Sequence, residues 1–420
     1  MGQRLHARSS DSGTTRRTYL QAAGASGVIA LPVGPTRTEK QQTITLGGSM
    51  SLTGDNANLG RLYRDAYELT IRRINEAGGV DAGDGTTYRL ELILRDDGSD
   101  ACRSTAIYRD LVDNQQVDYL LGPYSSTVAL AASEVAASSQ KPMVQGSGAS
   151  PEIFSRGNEW VFGLLPAADT YSVSTIEMAM AQDQPPATAA LLTELDSFSQ
   201  SSAGGAREKL ADAGVEVVVD QTFPSETSDL SSLLAEVRDS GAELLVLSAH
   251  ERHAILLANQ LERQNVSPKL VTTTVGSLTS NFREQTSENG DYVYGPSPWN
   301  DTADYGDPVY GSTDSFIAAI ERAYGYRPDY HSAAGAAVIV TFQHAFQQVT
   351  ELTPRNVRDA VRQTEITTAY GDVSFDERGI ISRAMFVYQW QPRDGGEAVK
   401  VLVWPEAVQQ SPPIYPMPGR

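Results

Sequence analysis

From residue 43 onward, apolar runs of strand length alternate with amphipathic runs of helix length, and the series restarts once. The first series is TITLGGSM (43–50), YRLELILRDD (88–97), VDYLLGP (117–123), KPMVQGS (141–147) and WVFGLLP (160–166). The second is ATAALLTEL (187–195), VEVVVDQTF (215–223), AELLVLSAH (242–250) and KLVTTTVG (269–276). Strands separated by helices need crossover connections, which are right-handed and give parallel sheets covered on both faces. In NLGRLYRDAYELTIRRINEAGG (58–79), Leu62, Ala66, Leu69, Ile74 and Ala77 mark one helical face, and Gly78-Gly79 ends it. Helices are predicted at 203–214, 228–241 and 251–265, each ending on Gly or Asn. The pattern predicts an α/β chain of two Rossmann-like units of similar size. A mostly helical section follows to about residue 366, then strands at 384–392 and 399–405, then a Pro-rich tail at 409–420.

In open parallel sheets, ligands bind beyond the carboxyl ends of the strands. Polar residues mark those ends here at 125–127, 147–150, 248–250 and 274–277, which predicts a cleft between the two units. In LLGPYSSTVALAASEVA (120–136) the strand stops at Gly122-Pro123 and a helix begins near Ser125, Ser126 and Thr127. A helix N-terminus carries free N–H groups and a positive dipole end. Hydroxyls there can cap the helix, or help the N–H groups hold an anion. The residue types alone leave both open.

The net charge is −19, and Lys occurs only at 40, 141, 209, 269 and 400. That balance argues against nucleic-acid partners, whose binders carry basic patches. An acidic, Lys-poor surface fits a halophilic setting of high salt. Cys102 is the one cysteine, so no intrachain disulfide forms, and it is expected to be a small buried residue. No metal site and no cofactor are expected from so few Cys and His. The N-terminal TTRRTYLQAAGASGVIALPVGP (14–35) joins an Arg pair to a weakly apolar run, the pattern of an export signal. It resembles a twin-arginine signal, so residues 1–35 are read as that signal and 36–42 as a linker. The signal predicts an exported, cell-surface or extracellular protein, and no Cys near its end supports lipid attachment. No other apolar run has the length of a membrane span.

Four segments in order resemble one family: SMSLTGDNANLG with INEAGGV, then LILRDDGSDACRSTAIYRDLV, then LLGPYSSTVALAASEVAASSQKPMVQGSGASPEIF, and finally YGDVSFDERGIIS. The chain resembles the solute-binding proteins of ABC importers, in the branch typified by the leucine/isoleucine/valine-binding protein, over roughly residues 43–405. The resemblance implies a type I periplasmic-binding fold with two lobes joined by three crossings near 166–169, 295–299 and 368–371. Lobe one would be 43–166 plus 299–369, and lobe two 167–296 plus 371–408. It implies a small-molecule solute, an ABC permease in the membrane with its cytoplasmic ATPase as partner, and a monomer.

Residue by residue, the resemblance places Ser126, with Thr127 beside it, where the family binds a ligand carboxylate. That favours the anion socket. The segment Ser147, Gly148, Ala149, Ser150 falls where the family offers a carbonyl and a Thr hydroxyl, the latter replaced by Ala149 with Ser150 one residue along. Val275, next to Gly276, stands where the family has the acid that pairs with the ligand ammonium. Leu59 stands for the aromatic that covers the ligand, and Phe198 and His250 for two tyrosines. The carboxylate half is kept and the ammonium half is weakened. Either Glu194, Asp196 or Glu251 supplies another acid, or the ligand lacks an ammonium. A branched-chain amino acid or a related carboxylate- or amide-bearing solute is expected, delivered to the importer by cleft closure, with a urea or short-chain amide binder as the alternative. A sensor of the same fold is a further alternative.

An enzyme is not expected. Ser126 sits in YSSTV and not in G-x-S-x-G, and HERH (250–253) is not H-E-x-x-H. His253 is expected to be solvated on a surface helix.

Overall fold

The computed structural model describes residues 42–155, 157–393 and 396–418. The export-signal reading of residues 1–35 lies outside the described residues, as does all of the 36–42 linker except Gln42, which opens a strand.

The strands are β1 (Gln42–Met50), β2 (Val80–Asp81), β3 (Thr87–Asp96), β4 (Tyr119–Leu121), β5 (Met143–Gln145), β6 (Val161–Gly163), β7 (Thr188–Glu194), β8 (Glu216–Phe223), β9 (Leu244–Ser248), β10 (Leu270–Thr273), β11 (Tyr294–Ser297), β12 (Gly306–Asp307), β13 (Gly311–Ser312), β14 (Glu365–Thr368), β15 (Gly371–Ser374), β16 (Phe386–Arg393) and β17 (Gly396–Trp404). The helices are α1 (Ala57–Glu76), α2 (Ala101–Asp113), α3 (Ser126–Ser139), α4 (Glu152–Ser155), α5 (Val173–Met180), α6 (Ser197–Asp212), α7 (Ser231–Ser240), α8 (Glu251–Leu261), α9 (Ser280–Thr286), α10 (Thr313–Tyr324), α11 (Tyr330–Gln348) and α12 (Pro354–Arg362).

Sheet one runs β2-β3-β1-β4-β5-β6 and sheet two β17-β16-β11-β10-β9-β7-β8. In sheet one, β3-β1-β4-β5-β6 are parallel, with β2 antiparallel on the edge. In sheet two, β8-β7-β9-β10-β11 are parallel, and β16 and β17 add an antiparallel edge. Both parallel sets have the doubly wound order second-first-third-fourth-fifth. The order reverses between β1 and β4 in one sheet and between β7 and β9 in the other, which is where such folds open a crevice. β9 is buried along its whole length, as its unbroken LLVLS run requires of a strand covered on both faces. α1 buries Leu59, Leu62, Tyr63, Ala66, Tyr67 and Ile74 along one stripe and packs on α11, which is buried from Tyr330 to Phe342.

The chain leaves sheet one after β6, builds sheet two as far as β11, and then returns. The Trp299 indole N–H donates to the Ala369 carbonyl at 2.8 Å on this return. The third crossing differs from the expected 368–371. Those residues form the turn of the β14–β15 hairpin, and Ile380 then bridges Gly163 of β6 in parallel register. The Ile381 N–H donates to the Gly163 carbonyl at 3.0 Å, so the chain crosses only after Ile381. EITT and GDVS carry few apolar residues, which hides the hairpin from a periodicity reading. The Pro-rich tail is irregular but pinned, with the Met417 N–H on the Lys269 carbonyl at 2.8 Å and the Tyr415 hydroxyl on the Gln184 carbonyl at 2.7 Å. Cys102 is exposed, not buried as expected, because it falls on the outer face of α2. Among the described residues no helix is long and apolar enough to cross a membrane, and no group of three or more His, Cys, Asp or Glu is placed to hold a metal.

Candidate functional site

The two switch points bring three helix N-termini together. α3 starts beyond β4 of sheet one, and α6 and α8 start beyond β7 and β9 of sheet two. Around them lies a cavity of about 520 Å³, lined among others by Ser125, Thr127, Asp196, Ser197 and His250. The three ends are not equivalent. The Asp196 side chain caps α6, accepting from the N–H groups of Phe198 and Ser199 at 2.8 and 3.1 Å. Ahead of α8, the His250 N–H donates to the Glu194 carboxylate at 3.1 Å. α3 has no side-chain cap. Its dipole end is the one of the three left without a carboxylate on its amides.

Ser126 does not cap α3. Its buried hydroxyl oxygen accepts the N–H groups of Ala149 and Ser150, both at 3.0 Å, and ties the end of β4 to the segment after β5. Both lone pairs are thereby used, and its hydrogen remains available to donate. A hydroxyl polarised by two N–H donors is a stronger donor to an anion.

The other sequence-named residues separate into those that meet across the cleft and those that turn inward. Thr127 Oγ1 accepts the Ser197 N–H at 3.4 Å, and the Ser197 hydroxyl meets that of Ser150 at 2.9 Å. Leu59, Ala149, Phe198 and Val275 belong to one buried apolar cluster that spans both sides. Ser147 and Gly148 turn inward. Their N–H groups donate to Gln145 Oε1 at 2.8 and 2.6 Å, and the Ser147 hydroxyl donates to the Pro123 carbonyl at 2.6 Å. A Cβ on Gly148 would lie 2.7 Å from Ala129 Cβ, so this position serves packing. Gly276 has φ +87°, and a Cβ there would lie 2.3 Å from Glu251 Cβ. The backbone after Val275 thus rests on Glu251.

All three acids named as replacements are engaged. Burial opposes ionisation of Glu194, but the hydrogen bond from His253 at 3.0 Å and the charges of both histidines hold its pKa below the usual carboxylate value. Burial also opposes Asp196, and His250 within 3.5 Å outweighs it, so its pKa is low as well. Glu251 goes the other way: burial raises its pKa, only partly offset by the Thr279 hydroxyl and the Asn58 amide, which donates at 3.0 and 2.9 Å. Burial alone would lower His250, but Asp196 and Glu194 raise it. His253 is not solvated as expected. It is 1% exposed, both ring nitrogens face acceptors (Glu194 and the Thr227 carbonyl, each at 3.0 Å), and its ring lies 4.9 Å from that of Phe223. The first turn of α8 is covered by the strands' far ends, which helical periodicity does not reveal.

The sequence reading missed the rings that join the two sides. The Tyr124 hydroxyl meets His250 Nδ1 at 3.1 Å, and Tyr63, Tyr330 and His331 surround Tyr124. The rings themselves stand in the sequence, as Tyr63 and Tyr67 one turn apart on α1 and as the YHS that opens α11, but no local pattern marks them as cleft residues.

A family profile described as periplasmic binding protein matches residues 43–397. The chain is 25% identical over 380 residues to Leu/Ile/Val-binding protein homolog 8 of Brucella abortus, covering 86% of this chain and 91% of that protein. It is similar in fold to the substrate-binding protein of the branched-chain amino acid transporter of Streptococcus pneumoniae in complex with isoleucine, with a TM-score of 0.74 and 18% identity over 86% of this chain and 100% of that one. It is equally similar to an R. palustris ABC-transporter solute-binding protein in complex with benzoate, with a TM-score of 0.74 and 17% identity over 87% of this chain and 99% of that one. Two doubly wound sheets facing one cleft, matched over nearly their whole length, show that the chain belongs to the periplasmic binding protein family.

Proposed function

We propose that the protein binds a small carboxylate without a free ammonium group and closes on it, one lobe per sheet, for delivery to an ABC permease. The carrying observation is the uncapped N-terminus of α3 beside the doubly bonded Ser126 hydroxyl. N–H groups at a helix dipole end and a polarised hydroxyl suit a carboxylate without a buried Arg. Three considerations argue against an ammonium: Val275 is apolar, Glu194 and Asp196 are committed to histidines, and Glu251 is raised by burial and held by Asn58 and Thr279. An unpaired ammonium in a closed cleft is costly. Ser126, Thr127, Ala149 and Ser150 hold the carboxylate in this reading, and Leu59, Phe198, His250 and Val275 enclose the remainder. The structural neighbour bound to benzoate carries a ligand of that kind.

Closure is by selection: the lobes sample it, and the solute stabilises it through contacts to both. Export through the Arg16-Arg17 signal, action as a monomer and adaptation to high salt complete the proposal. Calorimetric titration in molar KCl tests it, with leucine, valine, benzoate, the 2-oxo acid of leucine, short-chain amides and urea as candidates. Binding of benzoate or the 2-oxo acid that Ser126→Ala weakens, with leucine and valine bound far more weakly, supports the reading, and leucine or valine bound as tightly rejects it. Binding of amides or urea alone, indifferent to Ser126→Ala, rejects it.

A further inference from the structure

We propose that the solute is a planar aromatic carboxylate bearing a hydroxyl, and that His331, oriented by Asp329, recognises that hydroxyl. The inference rests on the carboxylate reading above and adds the rest of the ligand. Buried rings from the two sides pack against one another where the sides meet. On the sheet-one side Tyr63 lies 6.0 Å from Tyr124 and 5.7 Å from His331, and Tyr330 stacks on His331 at 3.9 Å. On the sheet-two side Phe198 lies 5.4 Å from His250. The two walls meet where Tyr124 approaches His250 at 5.7 Å. When the lobes part, a flat ring enters between Tyr124 and the Phe198–His250 pair and exchanges ring contacts for ring contacts.

The polar atoms at this wall select further. His331 is 1% exposed, its Nδ1 lies 2.7 Å from Asp329 Oδ2, and its Nε2 has no partner among the described residues. A carboxylate only accepts, so that bond assigns the hydrogen to Nδ1 and leaves Nε2 as an acceptor in the neutral ring. The buried Tyr370 hydroxyl, from the β14–β15 turn beside Tyr63 and Tyr171, likewise has no partner among the described residues. An aliphatic side chain would leave His331 Nε2 unpaired, whereas a phenolic hydroxyl supplies the missing donor. The carboxylate at α3 and the hydroxyl at His331 then fix the two ends of one ring.

The test is calorimetric titration of the protein with 4-hydroxybenzoate, benzoate, cyclohexanecarboxylate and leucine, repeated on His331→Phe, His331→Gln and Tyr370→Phe, with thermal melts to show that each variant folds. The expected order of affinity is 4-hydroxybenzoate, benzoate, cyclohexanecarboxylate, then leucine. His331→Phe should cost 4-hydroxybenzoate roughly tenfold more than it costs benzoate, the size of one lost hydrogen bond, and His331→Gln should recover part of that difference. If His331→Phe does not fold, the same ratio is read from His331→Gln and Tyr370→Phe. Cyclohexanecarboxylate binding as tightly as benzoate, with sensitivity to Ser126→Ala, overturns this inference and leaves the carboxylate reading standing, whereas leucine binding as tightly as benzoate overturns both. Equal losses for the two benzoates in His331→Phe overturn the role of His331. Failure of every carboxylate to bind overturns both.

Discussion

The Asn58 side-chain amide donates to both carboxylate oxygens of Glu251, at 3.0 and 2.9 Å, joining α1 on the sheet-one side to α8 on the sheet-two side. Hydrogen bonds to a charged group contribute about 1.5–3 kcal/mol when well formed. Asn58→Ala should therefore shift the unliganded protein toward the open form by about tenfold or more. Small-angle scattering in the absence of solute should show a larger radius of gyration for the variant. Superimposable curves would mean that this contact does not hold the lobes.

Ser126→Ala removes the shared acceptor of two buried N–H groups. Each orphaned buried donor costs about 1–3 kcal/mol. The expected result is a loss of about 2 kcal/mol or more in denaturant unfolding together with weakened carboxylate binding. Loss of binding with unchanged stability would show that the hydroxyl serves the ligand and not the link between β4 and the segment after β5.

The histidine–carboxylate network predicts a pH window. His250 has a folded pKa raised above 6.5, so its contribution is complete below that value and is lost as pH rises through the folded pKa. Glu194 and Asp196 are lowered from 4.5 and 3.8, so their contributions are complete above those values and are lost as pH falls. Thermal melts across pH should show the wild-type advantage over His250→Gln greatest between those limits and declining on the alkaline side. An advantage that grows above neutral pH would contradict the sign of the His250 shift.

Gly276→Ala should destabilise by about 2 kcal/mol or more, because a positive φ and a clash with Glu251 act together. Gly241→Ala is the matched comparison, with φ +68° and nothing within 4 Å of the added Cβ, and should cost only the backbone strain of about 1 kcal/mol. Equal losses in chemical unfolding would show that the contact with Glu251 is not tight.

Most strands of both sheets were legible because parallel strands covered on both faces read as apolar runs, as in AALL and LLVL, but the two-residue β2 and the YGPS of β11 carry too few apolar residues to show. The helix start at Ser126 was legible too, since a strand ending at Gly-Pro cannot simply continue. What could not be read was pairing across the cleft. Tyr63 and Tyr67 look like any core-facing aromatics on a helix, and nothing local to His253 says that Glu194, distant in sequence, will cover it. The hairpin at 365–374 escaped because its strands are short and largely polar, and it carries the third crossing past the expected position. Periodicity reports which face of an element is buried, and is silent on which other element buries it.

The interleaved chain path has a consequence for biosynthesis. The outer edge of β11 is covered only by β16 and β17, which end at Trp404, while α11, which buries α1, ends at Gln348. Neither half can complete itself while the nascent chain is still short of these segments. Until they emerge, β11 exposes an unpaired strand edge, the kind of surface that invites aggregation. Maturation is therefore governed by the last quarter of the polypeptide, and truncations there should yield two unfinished halves rather than one finished lobe.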